Sequence, residues 1–283
     1  MLHASQPLLW SVSYTEVHGE GASGLAHSLA HPPRPHSRTH TLDSEDKLDH
    51  AGLARTLAAT AGCAVAVPNY RLSPRDATDA EDAPDALRHP AHVRDVLCFL
   101  EFVGAWGGPG GVRAYDPGRL CLVGHSCGAH MVSSIFLGPA HAQDEDALHP
   151  PPELLENTKA IVTSEGIYDI DLLLSNFPAY RAWFVEAAFG RRSTYEDVSV
   201  TKMTPRMEYH HLQWLIVHSK GDTLVDEAQS EAMYQHLLDK VPHVAKNFEE
   251  LKEEHNAILT GGEFVKIVGR YILDKWLDLH DTF

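Results

Sequence analysis

The sequence lacks several features that would place it in common classes of protein. No uncharged apolar run approaches the roughly 20 residues that a membrane-spanning helix needs. Its first residues, MLHASQPLLWSVSYTEV, have neither the basic segment nor the long apolar segment of a secretory signal peptide. Lys and Arg number 23 against 39 Asp and Glu, a formal net charge of −16. Because such a surface repels phosphate backbones and anionic lipids, we predict that the protein binds neither nucleic acid nor membranes.

Cysteine is also scarce. The 283 residues include four cysteines, and no two of them form a CxxC pair. Four widely spaced cysteines do not make a disulfide scaffold, so we interpret them as reduced thiols and predict a cytoplasmic protein. The histidine-rich tract 27–40 has no carboxylate or cysteine spaced to complete a metal site, and we expect no metal there.

The chain divides into two parts of different composition. Residues 1–43 are atypical, since segment 19–41 is rich in Gly, Ser, His and Pro and has almost no aliphatic periodicity. We predict that residues 1–43 are loop-like or disordered and that residues 44–283 form one domain. Hydrophobic residues make up 43% of the chain, enough for a sizeable core.

From residue 44 onward, helical patterns alternate with short buried apolar runs. Helices are predicted at 44–61, beginning near Ser44, and at 93–106, 128–138, 226–240 and 263–279. Strands are predicted at 63–72, 119–126, 160–170 and 213–222, each buried on both faces. This alternation is typical of an α/β fold, with a mainly parallel central sheet and helices on both faces. Active sites in such sheets lie at the carboxyl ends of the strands.

One strand end carries a nucleophile motif. Gly124-His125-Ser126-Cys127-Gly128 has the pattern G-x-S-x-G, directly after a strand and directly before a helix. A serine at such a turn is held in a strained backbone conformation that projects its hydroxyl above the sheet edge. We predict that Ser126 is the nucleophile and that the backbone N–H of Cys127 helps to form an oxyanion hole.

An acid and a base are needed to activate the serine, and in this fold they follow it in the order acid, then histidine. Asp222 lies in the loop after the strand 213–222, and it is our predicted acid. Asp226 is the competitor, but it begins the next helix, where an aspartate ordinarily acts as N-cap.

The predicted base is His255, which lies between the apolar stretch 244–251 and the final helix. His243 would lie at the amino end of the last strand, away from the cleft. The other late histidines are His236, on a helix face, and His280, near the end of the chain.

The motifs GHSCGAHM, SEGIYDI, VHSKGDTLVD, EEHNAIL and PNYRLSP together resemble the fungal kynurenine formamidases (arylformamidases) of the α/β-hydrolase superfamily. The resemblance covers about residues 44–283. It implies an α/β-hydrolase fold and hydrolysis of N-formyl-L-kynurenine to L-kynurenine and formate, in tryptophan breakdown toward NAD. It also implies Ser126, Asp222 and His255 as the catalytic triad, a small-molecule substrate, no metal and no cofactor, and a monomer or homodimer.

One family motif is not intact. The family carries an H-G-G-x-W segment that supplies the second oxyanion donor, and the nearest match is His18-Gly19-Glu20-Gly21. Three explanations stay open: Gly19 serves as the donor, an altered segment has replaced the motif, or the oxyanion hole is deficient. A missing donor costs about 2.7–4 kcal/mol of transition-state stabilisation. The alternatives to a formamidase are therefore a carboxylesterase of the hormone-sensitive-lipase type and a catalytically impaired member of the fold.

Residues 170–207, between the third and fourth predicted strands, are expected to form a small helical cap. Five aromatic residues lie in this segment: Phe177, Tyr180, Trp183, Phe184 and Phe189. We predict that Trp183 and the nearby Tyr168 contact an aromatic substrate. The other interpretation, that aromatics at helical spacing are ordinary core contacts, stays open, as does a choice for Asp169 between capping the next helix and binding the substrate amine.

Overall fold

The structure, a computed structural model, describes residues 7–12, 46–73, 87–139 and 148–278. Its strands are β1 (Pro7–Val12), β2 (Ala64–Ala66), β3 (Asp116–His125), β4 (Leu137–Gly138), β5 (Thr158–Ser164), β6 (Thr204–Pro205), β7 (Gln213–Val217) and β8 (His243–Asn247). Its helices are α1 (Ala51–Ala61), α2 (Ala91–Ala105), α3 (Cys127–Phe136), α4 (Pro152–Asn157), α5 (Ile170–Asn176), α6 (Glu186–Phe189), α7 (Glu227–Leu238) and α8 (Gly262–Asp278).

A parallel sheet forms the centre of the fold. In the described part of the chain it has six strands in the order β2-β1-β3-β5-β7-β8, and each neighbouring pair is parallel. β4 and β6 form a separate antiparallel pair. The prediction of a mainly parallel central sheet is confirmed.

Two apolar clusters cover the two faces of this sheet. Side chains alternate along β3, so that Leu120 and Leu122 enter one cluster while Cys121 and Val123 enter the other. Helices α2, α3 and α7 pack on the first face, and α1 and α8 pack on the second. Helices therefore lie on both faces, as predicted, and the polar strand ends are left at the edge.

Part of the N-terminal segment differs from its predicted loop-like structure. Residues 7–12 form β1, which pairs with both β2 and β3 inside the sheet. The prediction that residues 1–43 are loop-like is wrong for this stretch, because PLLWSV is a short apolar run too weak in sequence to distinguish from its surroundings. Segment 19–41 lies outside the described residues.

Several predicted element bounds also change. Helix α1 begins at Ala51 rather than 44, Leu48 is 74% exposed, and the proposed cap Ser44 lies outside the described residues. The predicted strand 63–72 shrinks to β2, which is half-buried because it is the outermost described strand on its side of the sheet. The strands predicted at 160–170 and 213–222 end at Ser164 and Val217, so their final residues form loops.

Segment 170–207 is a mainly helical excursion beyond β5. It contains α5, a π-helical turn at Arg181–Val185, α6 and a 3-10 turn at Val200–Lys202. A third apolar cluster, built around Ile170, Leu173 and Tyr195, holds it together. The four cysteines all lie in the described ranges, and none of them forms a disulfide. Among the described helices, none is both long enough and apolar enough to cross a bilayer.

Candidate active site

The turn between β3 and α3 has the strained geometry that a nucleophilic serine requires. Ser126 has φ 55° and ψ −121°, a conformation that costs a non-glycine residue about 1–3 kcal/mol. Its N–H donates to the carbonyl of Ser164 at 2.9 Å. Gly124 makes the turn sterically accessible, since an added Cβ there would lie 2.6 Å from the carbonyl oxygen of Gly128. Ser126 is half-buried.

The predicted acid and base form a hydrogen-bonded pair. Nδ1 of His255 lies 2.7 Å from Oδ2 of Asp222, and both side chains are buried. The other carboxylate oxygen, Oδ1, accepts the backbone N–H groups of Leu224 and Val225 at 2.8 and 3.0 Å. Burial alone would raise the pKa of Asp222, but the hydrogen bonds to this carboxylate outweigh it and hold the pKa below its ordinary value. Asp222 is therefore ionised and can orient the imidazole of His255.

Two loops carry this pair, and they are fastened to each other. The hydroxyl of Ser219 donates to the carbonyl of Glu253 at 2.6 Å, and the hydroxyl of Thr223 donates to Glu254 at 2.8 Å. Gly221 lies where the loops touch, because an added Cβ would lie 2.1 Å from the carbonyl oxygen of Lys252. The close approach of the two loops thus fixes the acid relative to the base.

His255 lies beside the serine turn. Its ring centroid is 4.7 Å from that of His125, the residue that directly precedes Ser126. In the described part of the chain, no hydrogen bond joins the Ser126 hydroxyl to His255, although hydrogen bonds of this kind often tighten only in the complex with substrate. The strand order β3, β5, β7, β8 delivers the serine, the acid and the base to one edge of the sheet.

The histidine within the motif is a structural residue. Nδ1 of His125 contacts the hydroxyl of Ser164 at 3.1 Å, and Nε2 contacts Oδ1 of Asn256 at 3.3 Å. Burial and the neighbouring His255 hold the pKa of His125 well below its ordinary value, so this ring is neutral. These contacts show that His125 packs and hydrogen-bonds beside the serine turn.

A family model described as BD-FAE matches residues 42–237 of the chain. The chain belongs to the BD-FAE family.

Curated relatives of this BD-FAE family member carry the name kynurenine formamidase. The protein from Meyerozyma guilliermondii is 29% identical over 175 residues, which cover 61% of this chain and 58% of that protein. The protein from Scheffersomyces stipitis is 25% identical over 189 residues, which cover 61% of this chain and 63% of that protein. The chain therefore spans less than two thirds of these relatives' lengths. The resemblance found in the sequence is confirmed, and these relatives support a hydrolase.

Solved structures of esterases share the fold of this BD-FAE family member. Esterase B from Lactobacillus rhamnosis superposes with a TM-score of 0.65 at 14% identity, covering 99% of this chain and 81% of that one. An esterase from Rhizomucor miehei gives a TM-score of 0.62 at 15% identity, covering 99% and 76%. The predicted α/β-hydrolase fold is confirmed.

Other candidate residues of the BD-FAE chain have different outcomes. Asp226 precedes α7 without a side-chain cap bond and instead accepts a hydrogen bond from Asn176. Asp169 caps α5 by accepting the N–H of Leu172 at 3.0 Å, which resolves the choice left open for it. His243 begins β8 and is exposed, at the amino end as expected.

The residues predicted to contact the oxyanion or the substrate have different outcomes. Cys127 begins α3, and its Sγ lies 3.5 Å from the hydroxyl of Tyr70, so its side chain packs. Its backbone N–H stays a predicted oxyanion donor. Gly19 lies outside the described residues. Tyr168 is a correction: its side chain is fully buried in the main core and leaves no surface for a substrate to contact. Trp183 is 37% exposed and stays a predicted substrate contact.

Sequence reasoning missed one buried acid in the site. Glu165 directly follows β5, is fully buried, and has φ 50°. Glu165, Asp222 and His255 each offer a polar atom within 4.8 Å of the others, the one such cluster of possible cation ligands among the described residues. The available signal was its place immediately after a buried strand, between the strands that carry Ser126 and Asp222.

Proposed function

We propose that the chain is a serine hydrolase that cleaves the formyl amide of N-formyl-L-kynurenine, giving L-kynurenine and formate. The observation that carries the proposal is the 2.7 Å contact between His255 and Asp222, at the same sheet edge as the strained Ser126. The names of the curated relatives support the choice of substrate.

The proposed reaction has two steps, each with a balanced proton transfer. His255 takes the proton of Ser126 as Oγ attacks the formyl carbon, and protonated His255 then gives that proton to the departing aryl amine as the C–N bond breaks. Water, deprotonated by His255, attacks the formyl-serine ester and releases formate while Ser126 regains its proton. An aryl amine is a better leaving group than an alkyl amine, which suits an esterase-like site.

The second oxyanion donor is proposed to be the backbone N–H of Gly19. Val12, the last residue of β1, lies opposite Gly124, two residues before Ser126. The chain thus leaves β1 at the edge where the serine lies. Gly19 belongs to His18-Gly19-Glu20-Gly21, the nearest match in the sequence to the donor motif of the family.

The helical excursion is proposed to cover the substrate ring. Tyr180 contacts Phe177, Trp183 and Phe184 with centroid distances of 4.9, 5.0 and 5.4 Å. Its hydroxyl donates to the carbonyl of Leu224 at 2.9 Å, which fastens this aromatic group to the Asp222 loop. An aromatic group held beside the acid loop can stack an aryl substrate.

Kinetics on two substrates test the assignment. The value of kcat/KM for N-formyl-L-kynurenine should exceed that for short p-nitrophenyl esters. Much higher values on the esters would assign a carboxylesterase instead, and no turnover of either substrate would indicate an impaired member of the fold.

A matched pair of tryptophan variants tests the aromatic contact. Trp183→Ala should raise KM for N-formyl-L-kynurenine and leave KM for p-nitrophenyl acetate unchanged. Trp106→Ala is the control, since Trp106 is similarly exposed at 39% but ends α2. Equal effects of the two variants would reject the role of Trp183. Cytoplasmic location and a monomeric or homodimeric state stay predictions, to be checked by cell fractionation and light scattering.

A further inference from the structure

Glu165 is a carboxyl group that the mechanism above does not use. It lies at the carboxyl end of β5, between the strand ends that lead to Ser126 and Asp222, and it is fully buried. Glutamate is almost never fully buried unless it is paired. Its positive φ adds a backbone cost that persists only where the surroundings impose it, and such residues cluster at active sites.

The two oxygens of Glu165 have different surroundings. Oε1 accepts the N–H of Ser219 at 2.8 Å. Oε2 is buried and receives no hydrogen bond. Nδ1 of His218 lies 3.2 Å from it but is also 3.0 Å from the hydroxyl of Ser230. An ionised oxygen would be costly here, whereas a protonated one needs an acceptor rather than a donor.

The neighbouring acceptor is the carboxylate of Asp222, since an oxygen of Glu165 and an oxygen of Asp222 lie within 4.8 Å of each other. Two carboxylates this close in a buried site do not both ionise, so one of them keeps its proton. Burial, and then the hydrogen bond and the charge of Asp222, raise the pKa of Glu165 to about 11. The pKa of Asp222 is shifted the other way, below its ordinary value, so Glu165 is the group that stays neutral.

We propose that Glu165 is a positioning residue of the catalytic site, whose neutral carboxyl donates Oε2–H to Asp222 and holds that carboxylate against His255. The proposal rests on the serine hydrolase function proposed above. No proton is transferred: Glu165 stays protonated through the cycle while His255 shuttles the proton of Ser126. The titratable groups that face Glu165 are Asp222, His255, His218 and Tyr168.

The role follows from how Asp222 is held. Backbone N–H groups fix Oδ1, and His255 is bonded to Oδ2. The Glu165 donor approaches from the β5 side and opposes rotation of the carboxylate away from the imidazole. Loss of that donor should misplace the base and lower kcat, with little change in KM, because no contact with the substrate is removed.

Two substitutions of similar size separate donation from packing. Glu165→Gln keeps the shape, a donor and an acceptor for Ser219, whereas Glu165→Met keeps only the bulk. Both are measured on p-nitrophenyl acetate, with the active fraction counted by fluorophosphonate titration. We expect kcat of Glu165→Gln to stay close to wild type and that of Glu165→Met to fall about 10- to 100-fold, as for a small misplacement of a catalytic group. The low-field proton resonance of His255 Nδ1–H should be kept in the first variant and shifted or lost in the second.

Infrared spectroscopy tests the protonation directly and does not depend on the methionine variant folding. The wild type should show the C=O stretch of a buried protonated carboxyl at pH 7, and Glu165→Gln should lack it. Absence of this band in the wild type would mean that Glu165 is ionised and paired with His218, and would overturn the proposal. Equal kcat per active site in the glutamine and methionine variants would also overturn it, leaving Glu165 a packing residue.

The alternative to a shared proton is a bound cation, because Glu165, Asp222 and His255 have the spacing to share one. Loss of activity in EDTA with recovery in Zn²⁺ would overturn the proton-based account, and indifference to EDTA would support it. Failure of the proposed function is a separate result. Without labelling of Ser126 in the wild type, the hydrolase assignment and the positioning role fall together, while the infrared band still reports whether Glu165 is neutral.

Discussion

At the scale of single residues, the site depends on which carboxylates are stabilised by hydrogen bonds. Asp222 is ionised because hydrogen bonds surround it, and it is joined to His255 at 2.7 Å. Asp226, four residues later, is bound to Asn176 instead. The sequence offered both aspartates as candidates for the acid, and their hydrogen-bond partners in the structure favour Asp222.

Asp222→Asn should lower kcat by about 10⁴-fold, because an amide in place of the carboxylate favours the wrong tautomer of His255. Asp226→Asn is the matched control and should leave kcat within about twofold, as for most surface substitutions. Steady-state kinetics on an ester and on N-formyl-L-kynurenine check both variants. A large loss in Asp226→Asn with a small loss in Asp222→Asn would reverse the assignment.

Glu165→Gln should flatten the dependence of stability on pH. The pKa of Glu165 is raised to about 11 from an ordinary 4.5, so its stabilising contribution is complete below pH 4.5 and is lost as the pH rises toward 11. The pKa of Asp222 is lowered, so its contribution is lost only under acid conditions and is constant at higher pH.

Between about pH 5 and pH 9, the wild type should lose about 1.4 kcal/mol of unfolding free energy per pH unit relative to Glu165→Gln. Urea unfolding at several pH values measures this difference. Stability curves that run parallel for the two proteins would show that Glu165 is not protonated in the folded state.

At the scale of elements, the loops after β7 and β8 work as one unit. Gly221 allows the loop of the acid to touch the backbone of the loop of the base, since a Cβ added to this glycine would lie only 2.1 Å from the carbonyl oxygen of Lys252. No side chain fits in that space, so a substitution there must push the two loops apart.

Gly221→Val should lower kcat by about 100-fold, since a displacement of about 1 Å at a catalytic group has an effect of this size. Gly104→Ala is the control, because Gly104 lies within α2 and an added Cβ would meet nothing within 4 Å. That control should keep kcat and raise the melting temperature slightly, as alanine favours a helix. Normal kcat in Gly221→Val would show that the spacing of the loops does not position the pair.

At the scale of the whole molecule, the sheet depends on a strand distant in sequence from the rest of the domain. β1 lies between β2 and β3. Residues 7–12 therefore join β2, the strand that follows α1, to β3, the strand that leads to Ser126. Deletion of residues 1–12 should abolish cooperative unfolding, whereas deletion of residues 1–5 should preserve it. Circular dichroism during thermal unfolding checks this, and a folded, cooperative protein without residues 1–12 would contradict the topology.

The features that depend on local sequence pattern could be predicted. The G-x-S-x-G turn, the acid after β7 and the histidine after β8 follow from strand ends and chain order, and the structure brings them to one edge. β1 was missed because six residues carry too little periodicity, and pairing with distant strands decides their conformation. Glu165 was missed because its role depends on a neighbour 57 positions away, a contact that no local pattern predicts.

The proposed catalysis requires Ser126, Asp222 and His255 to act together, and fluorophosphonate labelling with mass spectrometry of the labelled peptide tests this most directly. We predict one adduct on Ser126 in the wild type, none in Ser126→Ala, and labelling slowed by orders of magnitude in Asp222→Asn. An adduct on another residue, or a labelling rate that is the same with and without the Asp222 carboxylate, would contradict the joint action of the three residues.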